Sequence, residues 1–158
     1  MKSVLISLSP YYYYLIGEGF KKIEVRKSFP KAENWNKTVL CYMTKDLKSF
    51  ARIPDVFQEK YAPHIGNVGM RFVCDDVFAC NYDYSDGVDI DDDSLLFTRL
   101  ERDEINIYAK GKTIYCWHIS NLKIYDKPTD LSRFSKVGFG SPVPLIHPPK
   151  SWCYAEKI

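Results

Sequence analysis

Residues 3–26 read SVLISLSPYYYYLIGEGFKKIEVR and set the expected architecture. The apolar run 3–8, bounded by polar residues and a proline, predicts a buried strand. Ser9-Pro10 predicts a helix start, with the serine as N-cap and the proline at the first helical position. That helix is expected to end at a glycine a few residues later, at 17 or 19. Residues 22–27 then alternate charged and apolar side chains, which predicts a half-buried strand.

The rest of the chain adds strands and short helices with no internal repeat, which indicates an α+β domain. Predicted strands cover residues 38–43, 67–78, 112–125 (bent at 120–121) and 151–156. A helix is predicted at 101–110, a short helix at 56–61 and a turn at 131–134. The acidic stretch 83–93 is interpreted as a solvated loop. We predict one domain over residues 1–158.

Composition and charge exclude several classes of protein. The net charge of +2 does not fit a protein that coats DNA non-specifically. No stretch approaches the 18 consecutive apolar residues of a membrane span, and no targeting signal is visible. The five cysteines are scattered and form no CxxC pair, so we expect free, mostly buried thiols, a cytoplasmic location and no membrane partner.

Charge is nevertheless unevenly placed along the chain. Residues 21–31 hold five Lys or Arg against one Glu, and residues 83–93 hold six Asp. Within the basic run, Glu24 and Arg26 are two apart on one face of the predicted strand. They are close enough to pair and to hold the guanidinium for a phosphate or a base edge. The alternative is a solvated edge strand with a surface ion pair.

Aromatic and metal-ligating side chains suggest further functional positions. Trp117, Trp152, Tyr154 and the run Tyr11–Tyr14 could stack a nucleic-acid base, or they could fill the core. Cys116 and His118 share a strand face, but no second ligand pair with suitable spacing accompanies them. We therefore predict no metal site, no cofactor, and a partly buried His118 with a satisfied hydrogen bond.

The pattern G-x-K-x-I-E-x-R at residues 19–26 resembles the opening motif of the ASCH domain family, whose fold is PUA-like. Residues 66–78, 101–128 and 148–156 are similar to later segments of phage and Firmicutes-type ASCH-like proteins. The resemblance implies a small PUA-like β-barrel of five to seven strands with two or three short helices. It also implies a cleft between the first helix and the strands, suited to RNA or a modified nucleoside. The family's motif lysine, glutamate and arginine fall on Lys21, Glu24 and Arg26.

Three functions are compatible with this resemblance. The preferred one is an RNA-binding or nucleotide-binding module, with phosphate held by Lys21, Lys22, Arg26 and Lys27 and with Trp152 or Trp117 as a stacking surface. Its other expected ligand contacts are Ser9, Tyr11, His118 and Tyr154. The second is a nucleoside amidohydrolase or ribonuclease that uses Lys21 and Glu24. Family members that act on acetylated cytidine carry a threonine after the lysine, where this chain has Lys22. The third is a phage accessory protein that acts on a host protein or a nucleotide signal.

Overall fold

A computed structural model describes residues 2–31, 33–138 and 140–158. Met1, Ala32 and Phe139, which the predicted single domain 1–158 includes, lie outside the described residues. Within the described ranges there are nine strands: β1 (Lys2–Leu8), β2 (Ile23–Arg26), β3 (Trp35–Met43), β4 (Asn67–Cys80), β5 (Tyr82–Asp83), β6 (Gly87–Val88), β7 (Ile114–Asp130), β8 (Phe134–Lys136) and β9 (Trp152–Lys157). The α-helices are α1 (Pro10–Gly17), α2 (Leu47–Phe50), α3 (Asp55–Tyr61), α4 (Asp92–Thr98) and α5 (Arg102–Ala109), and 3-10 turns follow at Ala62–His64 and Leu131–Arg133.

Seven strands form one mixed sheet in the order β2-β7-β4-β3-β1-β9-β8, and β5 and β6 form a separate hairpin. β1 and β3 run parallel, with α1 and β2 in the connection between them, and the other pairs are antiparallel. The pairings leave β2 and β8 as edges, so a closed barrel is not shown. The seven strands of this sheet agree with the predicted five to seven. The described residues form five α-helices, however, where two or three short helices were predicted.

The sheet is strongly curled, although its ladder is open. In a flat sheet β2 and β1 would lie about 19 Å apart, at about 4.8 Å per strand. Arg26 on β2 nevertheless donates a hydrogen bond to the Ser7 carbonyl on β1, 2.8 Å away. The rings of Trp117 on β7 and Trp152 on β9, also four strands apart in the order, have centroids separated by 6.1 Å. Side chains therefore bridge the gap that a barrel would close with backbone pairing.

Three groups of buried side chains stabilise this arrangement. The largest fills the inside of the curl, where α1 packs against the inner faces of β1, β3 and β4. A second lies between β2, β7 and α5 and includes Ile23, Val25 and Cys116. The third covers the opposite face of β1 and β3 and is closed by Leu131 and Phe134. Four of the five cysteines are buried and Cys153 is partly buried, as predicted.

Most local predictions for the first half of the chain are confirmed, and one loop prediction is wrong. β1, α1 and β2 lie where alternation and the Ser-Pro helix start predicted them. The stretch 83–93 is not one solvated loop, because it contains the β5–β6 hairpin and the start of α4. Asp91 caps that helix by accepting a hydrogen bond from the Ser94 backbone N–H at 2.8 Å. Acids in a first helical turn are stabilised by the helix dipole, so the acidic run favours a helix here.

The end of α1 is held by a close approach that only glycine permits. A Cβ atom on Gly17 would overlap the Tyr61 side chain. The Tyr61 hydroxyl donates to Glu18 Oε2 at 2.6 Å, and Lys60 Nζ lies 2.7 Å from the same oxygen. α3 thereby pins the point where the chain leaves α1 and turns toward β2. Among the described residues, no helix is long and apolar enough to span a bilayer.

Candidate functional site

A cavity of about 370 Å³ opens between α1, β2 and α5, beside the gap in the curled sheet. Its volume lies at the lower end of the range of small-molecule pockets, about 300–1,000 Å³. We call it the cleft. It is lined by Ser7, Leu8, Ser9, Tyr12, Lys21, Glu24, Val25, Arg26, Leu100, Glu104 and Tyr108. The predicted residues Lys21, Glu24, Arg26 and Ser9 therefore line one cleft, with the first three on the wall that leads into β2.

This wall is buried, unlike that of a solvated edge strand. Lys21, Glu24 and Arg26 are 3%, 7% and 8% exposed. Charged side chains are almost never buried to this degree unless they are paired. The alternative of a surface ion pair on an amphipathic edge strand is therefore wrong for these residues.

Lys21 reaches the cleft because the chain has not yet entered the strand. After α1 the backbone N–H groups of Phe20 and Lys21 both donate to the Leu15 carbonyl, and Gly19 takes a φ of 78° in the turn. Lys21 Nζ donates to the Thr98 carbonyl at 2.6 Å and lies 3.8 Å from Glu24 Oε2. Burial lowers the pKa of Lys21, while the Glu24 carboxylate opposes that shift.

Glu24 presents one carboxylate oxygen with no hydrogen-bond donor. Its Oε1 accepts from Arg26 Nε at 3.2 Å. Its Oε2 is buried and has no hydrogen-bond partner among the described residues, with only the Lys21 ammonium at 3.8 Å. A buried acceptor without a donor costs free energy, so this carboxylate would gain from an N–H or O–H donor that reached it through the cleft that Glu24 lines.

Arg26 acts as a clamp across the gap in the sheet. Besides Glu24, its guanidinium donates to the Ser7 carbonyl at 2.8 Å and to the Ser151 carbonyl and hydroxyl at 3.2 and 3.3 Å. These contacts tie β2 to the end of β1 and to the residue before β9. Most N–H groups of the guanidinium thus donate to acceptors within the protein. Arg26 therefore holds the elements around the cleft in place and is not a free phosphate ligand.

The opposite wall and the rim come from α1 and α5. Ser9 is the N-cap of α1, but its hydroxyl makes no cap hydrogen bond within the described chain and lines the cleft instead. Lys21 Nζ lies 5.4 Å from the ring centroid of Tyr12, and Lys27 Nζ lies 4.9 Å from the ring centroid of Tyr108. Burial raises the pKa of both tyrosines, so their hydroxyls are neutral donors at ordinary pH.

The basic run 21–31 does not form the single phosphate-binding face that we predicted. Lys22 is exposed and lies over Phe97 outside the cleft, whereas Lys27 is exposed at the cleft rim. Because β2 begins only at Ile23, Lys21 and Lys22 do not continue its alternation.

Of the predicted aromatic residues, Tyr12 lines the cleft, whereas Trp117, Trp152, Tyr154 and Tyr11 do not. Trp117 has no exposed surface and donates from Nε1 to the Ser28 carbonyl at 3.2 Å, so it does not offer a stacking face. Trp152 and Tyr154 are partly buried against the inner core and pack edge to face at 5.5 Å. Tyr11 lies outside the cleft and its ring carries Arg52 at 4.0 Å.

His118 also lies away from the cleft lining. Its Nδ1 is 2.5 Å from Asp75 Oδ1, which satisfies the predicted hydrogen bond. Cys116 and His118 were predicted to share a strand face, but they do not form a common site. Cys116 is buried in the second core, whereas His118 is partly exposed. In the described ranges no group of three or more His, Cys, Asp or Glu side chains could hold a metal ion.

Several lining residues were missed by sequence reasoning. Tyr12 was part of the predicted aromatic run but was not singled out, although it follows Ser9 by three positions and shares its helix face. Glu104 and Tyr108 are likewise four apart on the predicted helix α5. The Thr98 carbonyl that holds Lys21 could not be anticipated, since α4 itself was not predicted.

These features define a curled α+β domain whose buried, charged cleft lies between the first helix and an edge strand. The chain has the fold of an ASCH domain. It superposes on the crystal structure of ASCH from Zymomonas mobilis with a TM-score of 0.55 and 14% identity, over 96% of this chain and 85% of that one. Crystal structures of a serine-to-alanine and a tyrosine-to-phenylalanine mutant of that protein match with a TM-score of 0.56 and 13% identity, over 96% of this chain and 86% and 88% of those chains. At this identity the likeness concerns the fold. No protein-family model and no curated protein sequence matches the chain.

Proposed function

We propose that the cleft binds a nucleobase, either of a free or modified nucleoside or of an RNA strand. This proposal is carried by the Glu24–Lys21 pair among the residues that line the cleft, in which Lys21 Nζ lies 3.8 Å from a Glu24 Oε2 that has no hydrogen-bond donor among the described residues. A carboxylate acceptor beside an ammonium donor complements a base edge that shows an N–H next to a carbonyl or ring nitrogen. The hydroxyls of Ser9, Tyr12 and Tyr108 add donors and acceptors around such a ligand.

The cleft suits a base better than a phosphate. Its cations are committed within the protein, since Lys21 bonds to Thr98 and Arg26 bonds to Ser7 and Ser151. Glu24 and Glu104, which both line the cleft, would repel an anion bound there. The phosphate role that we predicted for Lys21 and Arg26 is therefore replaced by base recognition and by positioning.

The test compares nucleosides that differ by one donor. Uridine has an N–H on its base edge, and 3-methyluridine does not. By titration calorimetry we expect uridine or cytidine to bind more tightly than 3-methyluridine. Replacing Glu24→Gln should weaken the better ligands by about tenfold to a hundredfold, because a hydrogen bond to a charged group contributes roughly 1.5–3 kcal/mol.

Glu59→Gln, an exposed carboxylate on α3, is the matched control and should leave binding unchanged. Equal binding of uridine and 3-methyluridine by the natural protein would contradict base recognition through Glu24.

A second candidate is hydrolysis of a nucleoside amide or of RNA by Lys21 and Glu24. The observation in its favour is that burial lowers the pKa of Lys21, as in lysines that act as bases. Lys22 in place of the family threonine, exposed and outside the cleft, counts against it. Chromatography of the same mixtures, extended to N4-acetylcytidine and a short RNA, distinguishes binding from hydrolysis. Ligand that is recovered unchanged indicates binding alone.

A cytoplasmic location, the relationship to phage and Firmicutes proteins, and a host-protein partner stay predictions. The first is supported by the scattered, mostly buried thiols. No described feature of the cleft favours the last two over a nucleobase ligand.

A further inference from the structure

A second concave surface lies on the outer face of the sheet, next to the third core. We call it the outer groove. It has a volume of about 580 Å³ and is lined by Ser3, Asn36, Thr38, Leu40, Arg71, Tyr125, Lys127, Thr129, Phe134, Glu156 and Lys157. Residues from β1, β3, β4, β7, β8 and β9 contribute to it, so it crosses most of the sheet.

The cations of the outer groove are free, unlike those of the cleft. Arg71, Lys127 and Lys157 are exposed. Their side chains form no hydrogen bond, salt bridge or cation-π contact with residues in the described ranges, although the Arg71 charge acts on the neighbouring Tyr125 hydroxyl. Glu156 is the one carboxylate among the lining residues.

A further cation, Lys123, lies beside the groove without lining it, and its position opposite Arg71 is unfavourable for the sheet. Arg71 on β4 is directly opposite Lys123 on β7, and Lys123 is also exposed. Like charges directly opposite each other on neighbouring strands destabilise a sheet. A cluster of unpaired cations is explained if an anion lies across them during function.

The neutral side chains of the groove are mostly hydrogen-bond donors. Ser3 Oγ accepts from Asn36 Nδ2 at 3.0 Å, which leaves its own proton available. The hydroxyls of Thr38, Thr129 and Tyr125 line the same surface. Hydroxyl donors between Lys and Arg side chains are the contacts that phosphate oxygens receive in nucleic-acid complexes.

We propose that the outer groove binds the phosphodiester backbone of single-stranded RNA. The proposal rests on the proposed function in taking a nucleic acid as the partner, but it assigns the phosphates to a surface separate from the base-binding cleft. Partly exposed Tyr125 supplies an aromatic side chain beside the cations, a combination typical of single-strand binding surfaces.

The test is the salt dependence of binding to a fluorescent twelve-nucleotide oligouridine, measured by anisotropy between about 50 and 300 mM salt. Each lost phosphate contact reduces the log–log slope by about 0.7 for a single strand. The combined variant Arg71→Gln, Lys127→Gln, Lys157→Gln should therefore lose about two units of slope and bind several-fold more weakly at low salt. Arg71→Gln alone, a smaller change that leaves the fold intact, should lose about 0.7.

The matched control removes three other exposed charges, by Lys48→Gln, Lys110→Gln and Lys112→Gln. It keeps the net charge equal to that of the groove variant, and its slope should stay close to that of the natural protein. If the groove and control variants have equal slopes, or if binding of the natural protein does not vary with salt, the proposal is wrong. Displacement of the RNA by polyglutamate at equal charge concentration would also overturn it, in favour of an acidic protein partner.

Uridine binding separates this proposal from the first one. The groove variant should bind uridine as the natural protein does, because no groove residue lines the cleft. Glu24→Gln should lose uridine yet keep the salt slope of oligouridine binding. If the proposal for one site is wrong, the measurement for the other site can therefore still be interpreted.

Discussion

At the scale of single residues, the cleft depends on Lys21, a cation almost removed from water. Its one close hydrogen bond is to the Thr98 carbonyl, and its nearest carboxylate oxygen is 3.8 Å away. Such a pair offsets the desolvation of the ammonium only in part, so burial lowers the pKa of Lys21 from its ordinary value of 10.5. The protein thus keeps a lysine whose burial costs free energy among the residues that line its cleft, so this residue is not explained by stability alone.

This pKa predicts how stability depends on pH. The unfolded chain holds the Lys21 proton more tightly than the folded protein does, so between the lowered pKa and 10.5 the free energy of unfolding rises with pH. Relative to a Lys21→Met variant, the natural protein should gain about 1.4 kcal/mol for each unit of lowering. Urea unfolding at pH 7, 8, 9 and 10 measures the difference. A Lys48→Met variant, changed at an exposed position, should differ from the natural protein by a constant amount.

At the scale of elements, the sequence predicts those parts whose signal is local. Alternation identified β2, and the Ser-Pro pair identified the start of α1. α4 does not follow from the sequence if a run of aspartates is interpreted only as a solvated loop. Its start in fact carries an Asp91 N-cap and two acids in the first turn. The sequence also does not predict whether an N-cap side chain forms the cap hydrogen bond, since Ser9 occupies the N-cap position without that bond.

The two caps therefore predict different responses to alanine. Losing a serine N-cap costs about 1 kcal/mol where its side chain bonds to the backbone. Ser9 makes no such bond in the described structure, so Ser9→Ala should lower the free energy of unfolding by less than about 0.5 kcal/mol. It should instead weaken nucleoside binding, because its hydroxyl lines the cleft. Asp91→Ala, which removes a cap bonded to Ser94, should lower the unfolding midpoint more. Equal effects on stability would contradict this assignment.

At the scale of the whole molecule, the cleft combines residues that are close in sequence with hydrogen-bond partners that are far away in sequence. Lys21, Glu24 and Arg26 lie within six residues, so their grouping could be predicted from the sequence. The groups that hold them could not: Thr98 is 77 positions from Lys21, and Ser151 is 125 positions from Arg26. The contact with Ser151 arises because the sheet curls until β2 meets the end of β1, and the contact with Thr98 arises because α4 packs beside β2. Local patterns do not encode that curvature, and for the same reason the open edge was not distinguished from a closed barrel.

Arg26 holds this curl, and that yields the last prediction. Lysine keeps the charge but cannot bond at once to Glu24, Ser7 and Ser151. Arg26→Lys should therefore destabilise the fold by roughly 1.5–3 kcal/mol, the contribution of a charged hydrogen bond. Urea unfolding measures the loss, and hydrogen exchange should show faster opening of the β2 amides, since β2 pairs with β7 alone. Arg71→Lys, at an exposed and unpaired arginine, should change stability by less than about 0.5 kcal/mol. If both variants unfold like the natural protein, Arg26 does not clamp the sheet, and its guanidinium is free to meet a ligand.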